Sequence, residues 1–299
     1  MALDIKPLHP VIGGEVSGLD LRRPISPEDA AAIHAGMDRH AVLVFHDQDI
    51  TDEQQLAFSR ALGPLEQKVR PGTIRKASES RLGAGMGDLS NLDRNGKVIS
   101  ADDRQWFFKL GDRLWHSDSS YAEIPAKYSA LSGRTIPSWG GRTEFAEMRA
   151  AYDALDERTK EEVEDLICEH SLLHSRGAIG FSAFTQEEIE NFRPVRQRLV
   201  RIHADGRKSL FLSSHAGAIE GWTIPEARSF LRDLTEHATQ REFVYSHQWR
   251  RHDLVMWDNR TTMHRARRFD RSEIRDMRRT TLAGEGPTVE QVGARTALS

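Results

Sequence analysis

His116 and Asp118 stand two residues apart in Trp115-His116-Ser117-Asp118-Ser119-Ser120. On an extended segment, side chains at that spacing point the same way and can reach one ion. With one further histidine they would form a face of two imidazoles and one carboxylate. Such a face leaves the opposite side of the metal open, as non-haem Fe(II) oxygenases require. Late in the chain come Trp257-Asp258-Asn259-Arg260, then His264, Arg275 and Arg279. Arginine suits a carboxylate ligand because its planar fork offers paired donors and stays charged. Spacing alone does not single out this set. With 13 His and 45 Asp or Glu in 299 residues, roughly two His-x-acid matches are expected by chance. The second match, His203-Ala204-Asp205, precedes Gly206 between two apolar runs, which is a hairpin turn signal. His203 and Asp205 are therefore read as turn residues, and the 13 histidines leave the third ligand open.

The elements around these residues alternate between helix and strand signals. Ser26-Pro27 followed by Glu28 and Asp29 starts a helix that runs to about His40. Residues 41–46 form a short apolar strand, and Thr51 with Gln54 makes a capping box for a helix that stops at Gly63-Pro64. Residues 66–100 read as a mobile loop that regains order near Leu89-Ser90-Asn91. Residues 148–167 read as one helix, with Cys168 on its apolar face as a core residue. Residues 174–197 read as an irregular insertion, and Thr223 with Glu226 opens a helix reaching about Thr239. Alternation at Phe243, Tyr245, His247 and Trp249, then residues 254–257 and 275–282, predicts the last strands. If the last of these is a strand, Arg275 and Arg279 share a face and Arg278 points away. Trp115 and Trp257 are expected in the core.

Composition excludes several classes. Net charge is −3, and acids interleave with the arginines of residues 260–279, so a nucleic-acid stripe is not expected. No run of 18 apolar residues exists, so no membrane span is expected. The N-terminus lacks a basic region followed by an apolar stretch. A lone cysteine permits no intramolecular disulfide and fits a reducing cytoplasm.

Longer segments carry a resemblance. They are residues 41–48, 114–120, Gly140-Gly141-Arg142-Thr143-Glu144-Phe145, residues 148–155, residues 236–245, residues 253–260 and the arginine-rich stretch to Thr281. Together the chain resembles the taurine dioxygenase / 2,4-dichlorophenoxyacetate dioxygenase family of Fe(II)/2-oxoglutarate enzymes, more nearly the latter branch. Composition suggests only mixed α and β. The resemblance implies an α+β protein, a double-stranded β-helix (jelly roll) flanked by helices, in one domain over residues 1–299. It implies His116, Asp118 and His264 as metal ligands, with Fe(II), 2-oxoglutarate and O2. Thr143 and Arg275 would hold the distal carboxylate of 2-oxoglutarate, and Arg279 the anionic head of the substrate. Asn91, Lys68 and His215 are further substrate-contact candidates. The implied substrate is a small anion, foremost an aryloxyacetate such as 2,4-dichlorophenoxyacetate. Its hydroxylation beside the ether oxygen would give a phenol and glyoxylate, with succinate and CO2 from the co-substrate. A homo-oligomer is also implied. The alternatives are the same chemistry on a sulfonate or another carboxylate, a Zn(II) hydrolase on the same ligands, and a metal-free jelly-roll binding protein. Arg275 argues against the hydrolase, which has no use for a dicarboxylate clamp.

Overall fold

The computed structural model describes residues 3–67, 73–74 and 80–291. Its centre is two sheets laid face to face. The larger has seven strands in the order Asp4–Pro7, Gly14–Ser17, Val42–Phe45, Leu254–Asp258, Tyr128–Thr135, Asp276–Thr281, Gly87–Asp88. Neighbours are antiparallel except for the parallel pair Gly14–Ser17 and Val42–Phe45. The smaller sheet places Thr143–Glu147 between Val244–His247 and Thr262–Ala266.

Burial on both faces explains why residues 254–257 of strand Leu254–Asp258 read as an unbroken apolar run. Val255 and Trp257 turn inward with Met277 and Leu131 to meet Phe145 of the small sheet, whose ring centroid lies 5.5 Å from that of Trp257. Leu254 and Met256 turn outward with Leu43 and Phe45, against Ile33, Met37 and Phe58 of helices Pro27–His40 and Asp52–Leu62. Both helices start where expected; Thr51 with Gln54 forms the expected capping box, and Ser26 with Asp29 forms another. The outer face of the small sheet is covered by a second core, in which Ala146 and Met263 join Met148, Leu212 and Leu231. Leu231 comes from helix Ile224–Ala238. Among the described residues no helix is long and apolar enough to cross a membrane.

Three local expectations fail. Residues 148–167 are not one helix but Met148–Asp153 and Glu157–Val163, with strand Ile167–His170 beginning at the end of the stretch. The break falls at Asp156, whose side chain accepts from Thr159 N–H and caps the second helix. Cys168 therefore lies on a strand; it is fully buried, and burial pushes its thiol up to about 12. Residues 174–197 are not irregular either. They hold the end of helix Leu172–Ala178, helix Gln186–Asn191 and strand Val195–Arg198. Gly177 and Gly180 suggested a loop, but Phe181, Phe184 and Phe192 give the segment a core of its own. Finally, Asp118 is in a turn rather than on a strand, and Ser119 takes a positive φ of 55°.

At the Thr143 end of the sheets, Asp253 joins both layers. It accepts from His46 at 2.6 Å and His247 at 3.0 Å, and from Arg250 N–H at 2.7 Å. Burial opposes its charge, but these partners outweigh burial and hold the carboxyl down at about 2. A depressed carboxyl contributes stability above its unfolded pKa, near 3.9, and loses it as pH falls toward the folded value. The Asp253→Asn variant is expected to be about 2 kcal/mol less stable at pH 5 to 6. Its deficit should shrink between about pH 4 and pH 2. Urea unfolding across that range checks this; a pH-independent deficit would remove the charge from the account.

Candidate active site

His116 and His264 meet through their backbones. His116 N–H donates to His264 O at 2.9 Å and His264 N–H to His116 O at 2.8 Å, forming an isolated antiparallel bridge. The bridge sets the two rings side by side, centroids 4.2 Å apart. His116 Nδ1 lies 2.8 Å from Leu114 O, so Nδ1 carries the hydrogen and Nε2 presents its lone pair. Asp118 completes the group: Oδ1 is 4.0 Å from His116 Nε2 and Oδ2 is 3.8 Å from His264 Nε2. One ligand atom from each residue falls within 4.8 Å of the others, and all three residues are buried.

The turn at Asp118 is held by Asn259. Asn259 Oδ1 accepts from Asp118 N–H at 3.1 Å and from Trp257 Nε1–H at 3.0 Å. Its amide donates to Ser129 Oγ at 3.0 Å, and Ser129 donates to Asp118 Oδ2 at 2.7 Å. Arg279 Nη1 donates to Asp118 Oδ1 at 2.5 Å. Burial opposes the Asp118 charge, yet Arg279 foremost, with the Ser129 hydrogen bond, holds its carboxyl well below the usual range. Burial also holds His264 well below the ordinary imidazole value, so it is neutral. Two imidazoles and a carboxylate, joined by no further ligand among the described residues, fit Fe(II) with an open face.

The three ligands open on a cavity of about 780 Å³, which Arg275, Arg279 and Thr143 also line. Arg275 precedes strand Asp276–Thr281, and its guanidinium lies 5.3 Å from the Phe269 ring centroid, with Nη1 donating to Leu89 O at 3.1 Å. Among the described residues no carboxylate forms an ion pair with it. Burial outweighs the attraction of Asp112 and pushes its pKa down to about 10. Thr143 Oγ1 accepts from Trp249 Nε1–H at 2.9 Å, which leaves the hydroxyl hydrogen to donate elsewhere. Arg278 lies on the other face of its strand, paired with Asp52 at 2.8 Å and Asp276 at 3.0 Å.

Residues 4–281 match the family described as taurine catabolism dioxygenase TauD, TfdA family. The chain belongs to this family. It is 43% identical, over 95% of both chains, to the alpha-ketoglutarate-dependent 2,4-dichlorophenoxyacetate dioxygenase of Burkholderia sp. (strain RASC). It is 37% identical to the (S)-phenoxypropionate/alpha-ketoglutarate-dioxygenase of Sphingobium herbicidovorans, over 95% of this chain and 96% of that one. Among solved structures, AAD-2 in complex with Mn(II) and N-oxalylglycine superposes with a TM-score of 0.94 at 58% identity, over 97% of this chain and all of that one. A taurine dioxygenase from Burkholderia xenovorans superposes with a TM-score of 0.77 at 30% identity, over 98% and 92%.

The remaining expected residues of this TauD, TfdA family member fall in different places. Asn91 lines the cavity, but its amide is committed elsewhere. It donates to Glu273 O at 2.8 Å and accepts from Arg275 N–H at 2.8 Å, which places Arg275. His215 lines the cavity too, with its ring centroid 6.2 Å from that of His116. Ser175 Oγ donates to Leu172 O at 3.1 Å, so it accepts from His215 Nδ1–H at 2.8 Å. Burial holds His215 neutral, which does not suit an anion partner. Lys68 lies outside the described residues. His203 and Asp205 sit at a hairpin turn as expected, with Gly206 at φ 81°.

Sequence reading missed Asn259 and Ser129. Asn259 stood in a landmark motif without a role, and nothing marked Ser129. Removing a ligand-orienting partner typically weakens a metal site 10- to 100-fold. Asn259→Ala is expected to lower Mn(II) affinity by about that factor, measured by calorimetry on protein with unchanged circular dichroism. Unaltered affinity would deny Asn259 a part in placing Asp118.

Proposed function

We propose that this protein is an Fe(II)- and 2-oxoglutarate-dependent dioxygenase that oxidises an aryloxyacetate of the 2,4-dichlorophenoxyacetate kind. One observation carries the reading beyond the metal ligands. Arg275 is a buried guanidinium without a carboxylate partner among the described residues, on the wall of the cavity that holds His116, Asp118 and His264. An uncompensated buried cation is costly, and a bound dicarboxylate would offset that cost.

Iron held by His116, Asp118 and His264 would supply the oxidising chemistry with O2, as 2-oxoglutarate becomes succinate and CO2. Arg275 and the Thr143 hydroxyl orient the distal carboxylate of 2-oxoglutarate. Arg279, whose buried Nε–H has no partner among the described residues, donates to the substrate carboxylate. Apolar side chains including Leu82, Met86, Leu110 and Phe108 line space for an aryl ring. Hydroxylation beside the ether oxygen gives a hemiacetal, which collapses to a phenol and glyoxylate. We read the facing sheets as the jelly roll of the family, within one domain; the near-complete overlap with AAD-2 supports this.

The test is O2 uptake with Fe(II) and 2-oxoglutarate against 2,4-dichlorophenoxyacetate, both phenoxypropionate enantiomers and taurine. Succinate and phenol should form in equal amounts from the aryloxy acids. Uptake with taurine alone would sink the substrate assignment, and ester hydrolysis with Zn(II) alone would sink the reaction class.

A further inference from the structure

Phe108, on helix Arg104–Lys109, is 4% exposed, yet it lines the cavity. Behind it stands the phenylalanine cluster of residues 172–192, separate from the other cores. Its ring centroid lies 5.5 Å from that of Phe181 in edge contact and 6.3 Å from that of Phe192. The Arg176 guanidinium lies 4.5 Å from the same centroid, and Arg176 Nη2 donates to Asp112 Oδ1 at 3.0 Å. Arg176 can approach this closely because residue 111 is glycine. A Cβ there would sit 2.0 Å from Arg176 Nη1 and 2.4 Å from Cζ. Gly111 has no positive φ, so only the arginine's approach demands glycine.

This wall continues to the metal ligands. Tyr121 packs against the phenylalanine cluster, its ring 4.9 Å from His215, and the His215 ring is 6.2 Å from that of His116. An arginine–carboxylate pair in an apolar wall costs desolvation that a leucine would not. A ring fixed by packing and a cation on its face is what a precise aromatic contact requires.

We propose that Phe108 is the specificity-determining contact for the substrate's aryl ring, and that Gly111 and Arg176 are positioning residues that fix it. This deepens the aryloxyacetate reading and rests on it. Gly111→Ala pushes the arginine head off the ring without removing a charge, at little folding cost because the obstructing atoms end a flexible side chain. Phenoxyacetate and 2,4-dichlorophenoxyacetate are compared in wild type, Phe108→Leu, Phe108→Trp and Gly111→Ala. The readouts are kcat, KM and anaerobic calorimetric binding. Phe108→Trp should lower kcat/KM for the dichloro acid relative to phenoxyacetate by about tenfold, the scale of a misfit pocket. Phe108→Leu and Gly111→Ala should raise KM for both with the 2-oxoglutarate requirement unchanged. In an Arg176→Met background, Gly111→Ala should add nothing further, since the obstructing guanidinium is gone. An unchanged ratio in Phe108→Trp, with wild type releasing phenol, overturns the proposal and leaves the function standing. Additive effects of Gly111→Ala and Arg176→Met overturn the positioning role. Wild type that turns over 2-oxoglutarate but releases phenol from neither acid overturns both readings.

Discussion

Replacing Arg275 with alanine is expected to weaken 2-oxoglutarate binding by about 2 to 5 kcal/mol, the range for truncating one partner of a buried charge pair. Arg275 is buried, the 2-oxoglutarate carboxylate is its proposed partner, and its neighbours are a phenyl ring and a backbone carbonyl. Arg278→Ala is the control. That side chain pairs with Asp52 and Asp276 on the opposite strand face, so its loss should cost stability and leave the 2-oxoglutarate requirement unmoved. The measurement is the 2-oxoglutarate KM, with calorimetric binding to Mn(II)-loaded protein. Equal shifts in the two variants would refute the assignment of faces.

Arg279→Ala should act on a different quantity. Arg279 spans the proposed metal ligand Asp118 and the cavity, so its removal takes away the proposed grip on the substrate anion and a partner of Asp118. Poor positioning alone can cost about a hundredfold in rate. Succinate should therefore continue to form while phenol falls away, with 2-oxoglutarate affinity retained. The readout is the ratio of phenol to succinate in wild type and variant. A ratio that stays at the wild-type value would place the substrate anion elsewhere in the cavity.

Local chemistry made part of this legible. Capping residues Ser26 and Thr51 mark helix starts because the signal lies within four residues. Even spacing puts Arg275 and Arg279 on one wall although Arg275 lies just outside the strand, because the chain is already extended there. The same parity logic fails at Asp118, which reaches His116 from a turn held by Asn259, a partner far away in sequence. Cys168 is in the core as expected, but its placement on a helix, and the irregular reading of the segment around Gly177, fail for a related reason. Their state is decided by sheet pairing and by a phenylalanine cluster, contacts that periodicity in one window does not record. His264 could be chosen only through family likeness, since its identity as a ligand rests on a backbone bridge to His116.

That bridge also sets a schedule. His264 is synthesised 148 residues after His116 (264 − 116). At ribosomal rates of about 5 to 20 residues per second, the first histidine waits roughly 7 to 30 s for its partner. During that interval the proposed metal site has only one of its two imidazoles and its carboxylate, too few to retain a metal tightly. On the proposed ligand set, loading follows release of the strand that carries His264. A chain interrupted before that strand would lack the proposed site's second imidazole.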